Sequence, residues 1–387
     1  MKRRRLTLLA AALAVALVGA ACSGDGESPT PAPGAASGDP LDLKGVCPDP
    51  IVVQKDWQPE SEHGFLYNLV GKGYQVDTDK KKVTGPLVAQ GRDTGVDIEI
   101  RTGGPAVGFE PVPAVMYADT SIHLGYVATD EAVQFSAKQP TTAVFAQMDI
   151  SPLAIIWDPA THPTFNTLVD IGQSDTQVLY TKGLSYMEFL VGSGILKRSQ
   201  LNGSYDGSPA LFVASDGKAA LQGFATSEPY LYQYEIPQWK KPLKFQLVND
   251  SGYPVYFSSV SVRAGDKAKL APCLAKLVPI LQRSQAEFIG KPGPAIDVIL
   301  DLVTQYKTGW QYSKGLAEYS AKAMKDLGIV GNGADGTIGN FDMARVEKII
   351  QIMSSIMAAQ KQTTAQGLKP ETIATNEFID PKISLAS

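Results

Sequence analysis

Residues 51–67 read IVVQKDWQPESEHGFLY. The stretch opens with Ile51–Gln54, a short apolar run that ends in a polar residue and is typical of a buried strand. A loop rich in acidic and aromatic residues comes next, and a helix is predicted from Gly64 to Val70. The order of strand, polar loop and helix is that of α/β proteins, in which ligands bind beyond the carboxyl ends of strands.

The same alternation of strand and helix continues along the chain. Val96, Ile98 and Ile100 alternate with charged residues, which is the period of a half-buried strand. Further strands are predicted at residues 122–127, 176–180, 221–225, 245–248 and 255–262. Helical segments between them predict α/β lobes with mostly parallel sheets.

The C-terminal third is predicted to be helical. One apolar stripe at helical spacing comprises Leu270, Cys273, Leu274, Leu277 and Leu281. Pro279 lies within this stripe and is expected to kink or end its helix. A second stripe runs from Val346 to Met357, with Asp342 as the predicted N-cap.

Length and charge exclude several classes of protein. With 387 residues, of which 44% are hydrophobic, the chain is globular and long enough for two lobes. The formal net charge of −4 becomes more negative without the basic residues 2–5, so nucleic acid is not an expected partner. No segment after the first 21 residues is apolar for long enough to predict a transmembrane helix.

The N-terminus has the pattern of an export signal. Basic residues 2–5 precede the apolar run Leu6–Val18, and small residues then lead to Cys22. This resembles a bacterial lipobox, which predicts a signal peptide over residues 1–21 and lipidation of Cys22; ordinary secretion is the alternative. Residues 22–45 are predicted to be a lipid anchor and a disordered linker, because residues 23–40 are rich in Gly, Pro and Ser. The body is therefore expected on the outer face of the cytoplasmic membrane, extracellular or periplasmic.

Two cysteines remain if Cys22 carries lipid. In an oxidising compartment, Cys47 and Cys273 are expected to form one disulfide. Two free, buried cysteines are the alternative.

The common catalytic and metal-binding motifs are absent from the sequence. It contains no G-x-S-x-G, no P-loop, no H-E-x-x-H and no C-x-x-C, and its three histidines are far apart. Residues 331–336, GNGADG, match G-x-G-x-x-G, but residues 337–341 are typical of a turn and extended chain, so no dinucleotide site is predicted. We expect no metal, no cofactor and no enzymatic activity.

Candidate ligand-binding residues come directly after the predicted strands. In the first half, Asp56, Trp57 and His63 follow the first strand, and Thr129 and Asp130 follow the strand at 122–127. Alternatively, Trp57 packs on its own lobe. Asp130 could equally serve as a helix cap.

The second half repeats this arrangement. Ser185 and Tyr186 begin a helix in an S-x-x-E sequence that predicts a capping box with Glu188. Glu228 and Tyr230 follow the strand at 221–225. Aromatic and carboxylate side chains therefore gather at strand ends in both halves.

Four segments carry a family resemblance: DWQPESEHGFLYNLVGKGY (56–74), GVDIEIRTGG (95–104), IHLGY (122–126) with its following threonine, and GKAALQGFATSEPYLYQYE (217–235). They resemble solute-binding proteins of ABC importers, in the branch that takes nitrate, sulfonates, taurine and thiamine pyrimidine precursors. The resemblance covers about residues 46–266, and its motifs are individually degenerate. Met116, Tyr117 and Asp119 depart from the family's small-residue pattern.

The resemblance implies an α/β, two-lobed, type II periplasmic-binding-protein clamshell with a ligand cleft between the lobes and a helical C-terminal region. Residues 46–165 and 252–387 are then expected to form the first lobe, and residues 166–251 the second. The family's ligand positions fall on residues in both lobes, namely Asp56, Trp57, His63, Thr129, Ser185, Tyr186, Glu228 and Tyr230. The implied partners are a small-molecule ligand and an ABC permease in the membrane, and the protein itself is expected to be a monomer.

The charge of the candidate loops bears on the ligand. Lys182 is the single basic residue among them, beside Asp56, Asp130, Glu228 and Glu235. This balance favours a nitrogen-containing heterocycle, such as a thiamine pyrimidine precursor, over a sulfonate, nitrate or taurine-like anion. An extracellular enzyme on the same lobes and a secreted scaffold are further alternatives.

Overall fold

The structure is a computed structural model, which describes residues 31–385. Six strands come first in the chain: β1 (Ile51–Gln54), β2 (Gln75–Asp77), β3 (Lys82–Ala89), β4 (Arg92–Arg101), β5 (Leu124–Val127) and β6 (Thr141–Phe145). Five more come next: β7 (Leu153–Trp157), β8 (Val178–Leu179), β9 (Leu201–Asn202), β10 (Ala220–Phe224) and β11 (Lys244–Leu247). The last strand is β12 (Ser259–Arg263).

Most helices before residue 231 are short: α1 (Gly64–Tyr67), α2 (Val112–Ala118), α3 (Thr129–Phe135), α4 (Leu168–Gln173), α5 (Ser185–Gly192), α6 (Ala210–Ala214) and α7 (Glu228–Tyr230). A π-helical turn, Leu231–Glu235, continues α7. The C-terminal helices are α8 (Lys267–Gly290), α9 (Gly293–Tyr306), α10 (Lys314–Asp326), α11 (Met343–Ala359) and α12 (Pro370–Ile373).

The strands form two sheets. The seven-stranded sheet has the order β2-β3-β4-β1-β5-β12-β6, and the five-stranded sheet has the order β11-β7-β10-β8-β9. We call the parts built on these sheets the first lobe and the second lobe. The chain crosses from the first lobe to the second after β6 and returns before β12. These two crossovers agree with the expected two-lobed α/β fold.

Both sheets are mixed, so the expectation of mostly parallel sheets is wrong. β1 runs parallel to β4 and β5, but β12 runs antiparallel to β5 and β6. In the second lobe, β10 pairs antiparallel with β7 and parallel with β8. The period of hydrophobicity identifies a strand but carries no information about the direction of its neighbour.

Two expected boundaries need correction. The first lobe was expected to include all of residues 46–165, yet β7 lies in the second lobe, where it pairs with β10 and β11. The linker expected over residues 22–45 is packed on the first lobe from residue 33 onward. There the Leu43 N–H donates to the Thr94 carbonyl at 2.9 Å, and Leu41 and Leu43 are buried. These two leucines pack against apolar surface of the first lobe. The Gly-, Pro- and Ser-rich composition of the segment did not predict this packing.

The helix that contains Pro279 does not end there. α8 continues through Pro272 and Pro279 to Gly290. Its apolar stripe, from Leu270 to Leu281, is buried in the core of the first lobe, and this packing outweighs the helix-breaking tendency of proline. The predicted N-cap of α11 is confirmed, because Asp342 Oδ1 accepts from the Ala344 N–H at 2.8 Å.

The C-terminal region packs on both lobes. α11 lies against α3 of the first lobe and α5 of the second, and one apolar core contains Val52 and Met353 together with Leu190. Cys47 and Cys273 form a disulfide that joins the segment before β1 to α8. Across residues 31–385, no helix has the length and apolarity needed to span a bilayer. The predicted signal peptide and the predicted lipidation site Cys22 lie outside the described residues.

Candidate ligand-binding site

The loop after β1 places Asp56 next to the segment before β12, by which the chain returns to the first lobe; we call this segment the return crossover. Asp56 Oδ2 accepts from the Ser258 hydroxyl, next to β12, and Asp56 Oδ1 lies 3.1 Å from His63 Nε2. Asp56 therefore connects the first strand-end loop to the segment by which the chain re-enters the first lobe.

His63 is buried beside Asp56, with 2% of its surface exposed. Burial lowers its pKa to about 4, so the imidazole is neutral at physiological pH. Its Nδ1 has no hydrogen-bond partner within the described residues and lies 3.8 Å from Glu60 Oε1. The ring meets the Tyr126 ring edge-on at 4.8 Å.

Lys55 was not among the predicted site residues, yet its ammonium group lies beneath the same loop. It is fully buried and donates to the Gln58 carbonyl at 2.8 Å and to Tyr67 Oη at 2.9 Å. Burial lowers the pKa of Lys55 to about 7, although the nearby carboxylates of Glu60, Asp56 and Glu62 act in the opposite direction. Lys55 directly follows β1, and nothing in the sequence indicated that it takes part in the site.

Glu60 and Glu62 were also not among the predicted site residues, although they lie in the acidic loop after β1. Burial raises the pKa of both side chains, and the negative charge of Glu62 raises that of Glu60 further. Glu62 is 7% exposed, and its Oε2 has no hydrogen-bond partner among residues 31–385. The density of acidic residues in the loop was the signal that could have identified them.

Glu228 brings a carboxyl group from the second lobe. It follows β10, and its Oε2 accepts from the Phe224 N–H at 2.6 Å. Gly223 permits this arrangement, because a Cβ there would lie 2.7 Å from Glu228 Cδ. Burial raises the pKa of Glu228 to about 7, and the negative charge of Glu62 adds to the shift. The carboxyl groups of Glu62 in the first lobe and Glu228 in the second therefore interact electrostatically.

A buried chain of hydrogen bonds crosses between the lobes at the same place. The Ser61 N–H donates to Tyr312 Oη at 2.8 Å, the Tyr312 hydroxyl donates to Ser320 Oγ at 3.3 Å, and the Ser320 hydroxyl donates to the Thr226 carbonyl at 2.6 Å. Thr226 is fully buried; its own Oγ1 has no hydrogen bond of normal geometry in the described part of the chain, but it is near enough to Glu62 to lower the pKa of that carboxyl group. α10 and the segment before it thus form a third side of the site.

Trp57 lies half-buried at the edge of this region. Its ring is 6.1 Å from that of Phe109 and 6.2 Å from that of Trp310, which it meets edge-on. Trp310 Nε1 in turn donates to the Pro59 carbonyl at 3.1 Å. The aromatic contacts come from the first lobe and the C-terminal region, so packing accounts for part of the position of Trp57.

Thr129 and Asp130 have partners of their own. Thr129 Oγ1 accepts from the Tyr256 N–H at 3.1 Å, and Asp130 Oδ2 accepts from the Tyr253 hydroxyl at 2.6 Å. The neighbouring Glu131 has a pKa raised to about 8 by burial and by the charges of Asp130 and Asp56. Thr129 and Asp130 therefore bind the return crossover, and Glu131 extends the acidic region.

Tyr186 and Tyr230 bind or pack against groups other than these carboxyl groups, and Ser185 opens α5. Tyr186 is buried in the core and donates to Gln222 Oε1 at 2.7 Å. The capping box predicted for Ser185 and Glu188 is wrong: Ser185 is the first residue of α5, the N-cap is Leu184, and Glu188 pairs with Arg198 at 2.7 Å. Tyr230 packs between Tyr234 and Tyr319.

Five side chains form what we call the carboxyl cluster: Asp56, Glu60, Glu62, Glu131 and Glu228. Each acts electrostatically on at least one other member. Within residues 31–385, no three His, Cys, Asp or Glu side chains converge as metal ligands. Residues 331–336 form a turn, in which the Gly336 N–H donates to the Gly333 carbonyl at 2.8 Å.

Comparison with known proteins gives a likeness of fold. No protein-family model and no curated protein matches the sequence. A solved structure from Bordetella bronchiseptica RB50 is similar with a TM-score of 0.52 and 15% identity, over 86% of this chain and 96% of that one. An ABC transporter structure from Parabacteroides distasonis has a TM-score of 0.49 and 10% identity, over 87% and 100% of the two chains.

The periplasmic aliphatic sulphonate binding protein SsuA of Escherichia coli has a TM-score of 0.48 and 13% identity, over 88% of this chain and 95% of that one. At sequence identities this low, similarity of structure is evidence for a shared fold alone. The Bordetella structure shares the fold of this chain over most of both lengths.

Proposed function

We propose that the protein is an exported solute-binding protein of an ABC importer, which captures a small nitrogen-containing heterocycle and delivers it to the permease. The observation that carries the proposal is the set of buried polar groups without partners where the lobes meet. Glu62 Oε2 comes from the first lobe and Thr226 Oγ1 from the second; neither has a hydrogen bond of normal geometry among residues 31–385, and the Thr226 hydroxyl is near enough to the Glu62 carboxyl group to lower its pKa. Buried polar atoms are generally satisfied in folded proteins, so we propose that a polar solute bound between the lobes completes the hydrogen bonds of these two groups.

The charge of the site favours a nitrogen-rich ligand. The carboxyl cluster supplies oxygens that accept hydrogen bonds whether or not the groups with raised pKa are protonated, and the buried amino group of Lys55 already donates to Gln58 and Tyr67. A sulfonate or nitrate needs donors and positive charge, whereas ring and exocyclic N–H groups need acceptors. A pyrimidine with an exocyclic amine, as in thiamine precursors, satisfies this requirement.

The cellular arrangement is part of the same proposal. Lipid on Cys22 anchors the protein to the outer face of the membrane, and the monomer reaches its permease from there. The proposed role is binding and delivery of the solute, not catalysis.

A thermal-shift assay tests the binding function. The probes are 4-aminopyrimidine, taurine, methanesulfonate and nitrate, with the mature protein lacking its leader. A ligand at about 100 times its dissociation constant adds about 2.7 kcal/mol to the stability of a binding protein. Stabilisation by 4-aminopyrimidine supports the proposal; stabilisation by the anions instead supports the alternative ligand class. A scaffold protein would respond to none of the probes.

A further inference from the structure

We infer that α10, together with Ser313 before it, is a latch between the lobes: it stays with the first lobe and holds the second through polar contacts that can break. The inference goes beyond the proposed function, because it concerns how the lobes separate and holds for any solute. Release of this latch is the step that opens the buried site.

One face of α10 belongs to the core of the first lobe. Leu316, Ala317, Ala321 and Met324 are buried in the same apolar core as the stripe of α8, and the helix packs against α8 and α9. The Ala317 carbonyl also accepts from the Ser61 hydroxyl at 2.9 Å. Pulling α10 off the first lobe exposes this apolar surface to water, so we expect the helix to move with the first lobe.

The contacts of α10 with the second lobe are of a different kind. The Ser320 hydroxyl donates to the Thr226 carbonyl at 2.6 Å, and the Tyr319 hydroxyl donates to the Ala225 carbonyl at 3.2 Å. Water can replace a hydrogen bond at a small net cost in free energy. These contacts can therefore break and re-form while both lobes stay folded.

Two further contacts reach the same segment after β10. Glu235 Oε1 accepts from the Ser313 hydroxyl, and the Tyr230 ring lies 5.4 Å from that of Tyr319. Gly315 permits this close approach, because a Cβ at that position would overlap with Tyr230 Oη. The latch and the second lobe are thus fitted to each other along the first turns of α10.

The connection made by α11 is apolar on both sides. Val346, Ile349 and Met353 of α11 are buried in one core with Val52 of the first lobe and Leu190 of the second. Parting the lobes there exposes apolar surface, whereas parting them at α10 breaks mainly hydrogen bonds. The lobes are therefore expected to pivot about α11 and the crossovers and to separate at α10.

The candidate site needs such a motion. Glu62, His63 and Thr226 are buried, so a solute reaches them only when the segments that cover them move. Thr226 is itself bonded to Ser320 of the latch. Breaking that bond frees the loop after β10 to move away from the first lobe.

The distance between the lobes tests the latch without any solute. Spin labels on Lys72→Cys in the first lobe and Asp175→Cys in the second, both exposed, allow pulsed electron paramagnetic resonance on the protein without its leader and Cys22. The latch variant combines Tyr319→Phe with Ser320→Ala. Its population at longer distances is expected to be at least about tenfold larger than that of the parent, which corresponds to about 1.4 kcal/mol from two lost hydrogen bonds.

The control combines Tyr234→Phe with Ser355→Ala, which removes the same two kinds of hydroxyl group at exposed positions. The Ser355 hydroxyl donates within α11, to the Gln351 carbonyl at 3.0 Å. The control is expected to give the distances of the parent. Unfolding curves check that each variant is folded, and Tyr319→Phe alone replaces the double variant if that one unfolds.

A folded latch variant with the distances of the parent overturns the latch and leaves the binding function standing. A control that opens as far as the latch variant overturns it as well. A protein that responds to no solute in the thermal-shift assay, but opens in the latch variant, overturns the binding function and keeps the latch.

Discussion

The Ser61 N–H donates to Tyr312 Oη at 2.8 Å, across 251 positions of sequence. Ser61 lies in the acidic loop of the first lobe, and Tyr312 precedes α10. Through Ser320, the same tyrosine reaches the Thr226 carbonyl of the second lobe. The C-terminal region is therefore a structural part of the site, although it lies mostly outside the sequence resemblance that identified the strand-end loops.

Removing the Tyr312 hydroxyl is expected to destabilise the protein. Tyr312→Phe leaves the buried Ser61 N–H without its acceptor and Ser320 without a donor, at a cost of about 1–3 kcal/mol. Urea unfolding measures the change. Tyr234→Phe is the control, because Tyr234 is 54% exposed, and its effect is expected within about 0.5 kcal/mol. Equal stability of the two variants would contradict the role of the hydrogen-bond chain.

Ligand-free stability is expected to depend on pH through Glu228. Its folded-state pKa is raised to about 7 from an ordinary value near 4.5, so its contribution to stability is present at low pH and is lost as the pH rises through about 7. Glu228→Gln mimics the protonated form and is expected to be more stable than the parent at pH 8, by about 1–3 kcal/mol. At pH 4 the two proteins are expected to be alike. Unfolding titrations at both pH values check the sign, and a less stable variant at pH 8 would refute it.

The variant Trp57→Ala distinguishes a ligand-binding role of Trp57 from a packing role. A stacked aromatic anchor in a binding site typically contributes about 2 kcal/mol or more, so Trp57→Ala is expected to weaken ligand binding roughly 30-fold. Phe109→Ala, which removes a 67% exposed neighbour of the same ring, is the control and is expected to bind nearly normally. Affinity and unfolding free energy are measured on the same preparations. A loss of about 3–5 kcal/mol of stability with unchanged affinity would mean that Trp57 only packs.

The disulfide between Cys47 and Cys273 spans 226 positions of sequence. Loss of such a cross-link increases the conformational freedom of the unfolded chain, and Cys47→Ala with Cys273→Ala is expected to cost about 2–5 kcal/mol. Mass spectrometry of the parent protein is expected to show both cysteines protected from alkylation until reduction. Alkylation of both without reductant would disprove the bond in the native protein.

Cys22→Ala is expected to release the protein from membranes, because the lipid anchor is proposed on that side chain and two or more acyl chains are needed for stable attachment. Fractionation of cells that express the parent or the variant measures the distribution. Ser23→Ala, at the next position, is the control and is expected to remain in the membrane fraction. A cleaved Cys22→Ala protein at parental levels in that fraction would rule out lipidation as the anchor.

Parts of the site could be predicted from the sequence. Asp56, His63 and Glu228 follow β1 and β10, and their position after apolar runs places them at the carboxyl ends of strands. Thr129 and Tyr186 were chosen by the same rule, but their side chains bind the Tyr256 N–H and Gln222 Oε1. The rule finds the edge of a sheet, and it does not distinguish side chains that face the other lobe from those that hold the chain together.

The sequence by itself determined seven of the twelve strands found in residues 31–385, the N-cap Asp342 and the polar loops at strand ends, because these depend on local periodicity and on residues close in the chain. The tertiary structure decided the direction of neighbouring strands, the continuation of α8 through Pro279 and the convergence of Glu62, Glu228 and Lys55. Each of these depends on burial against segments far away in sequence. Burial is also what shifts their pKa values, so the protonation states of the site are set only in the folded chain.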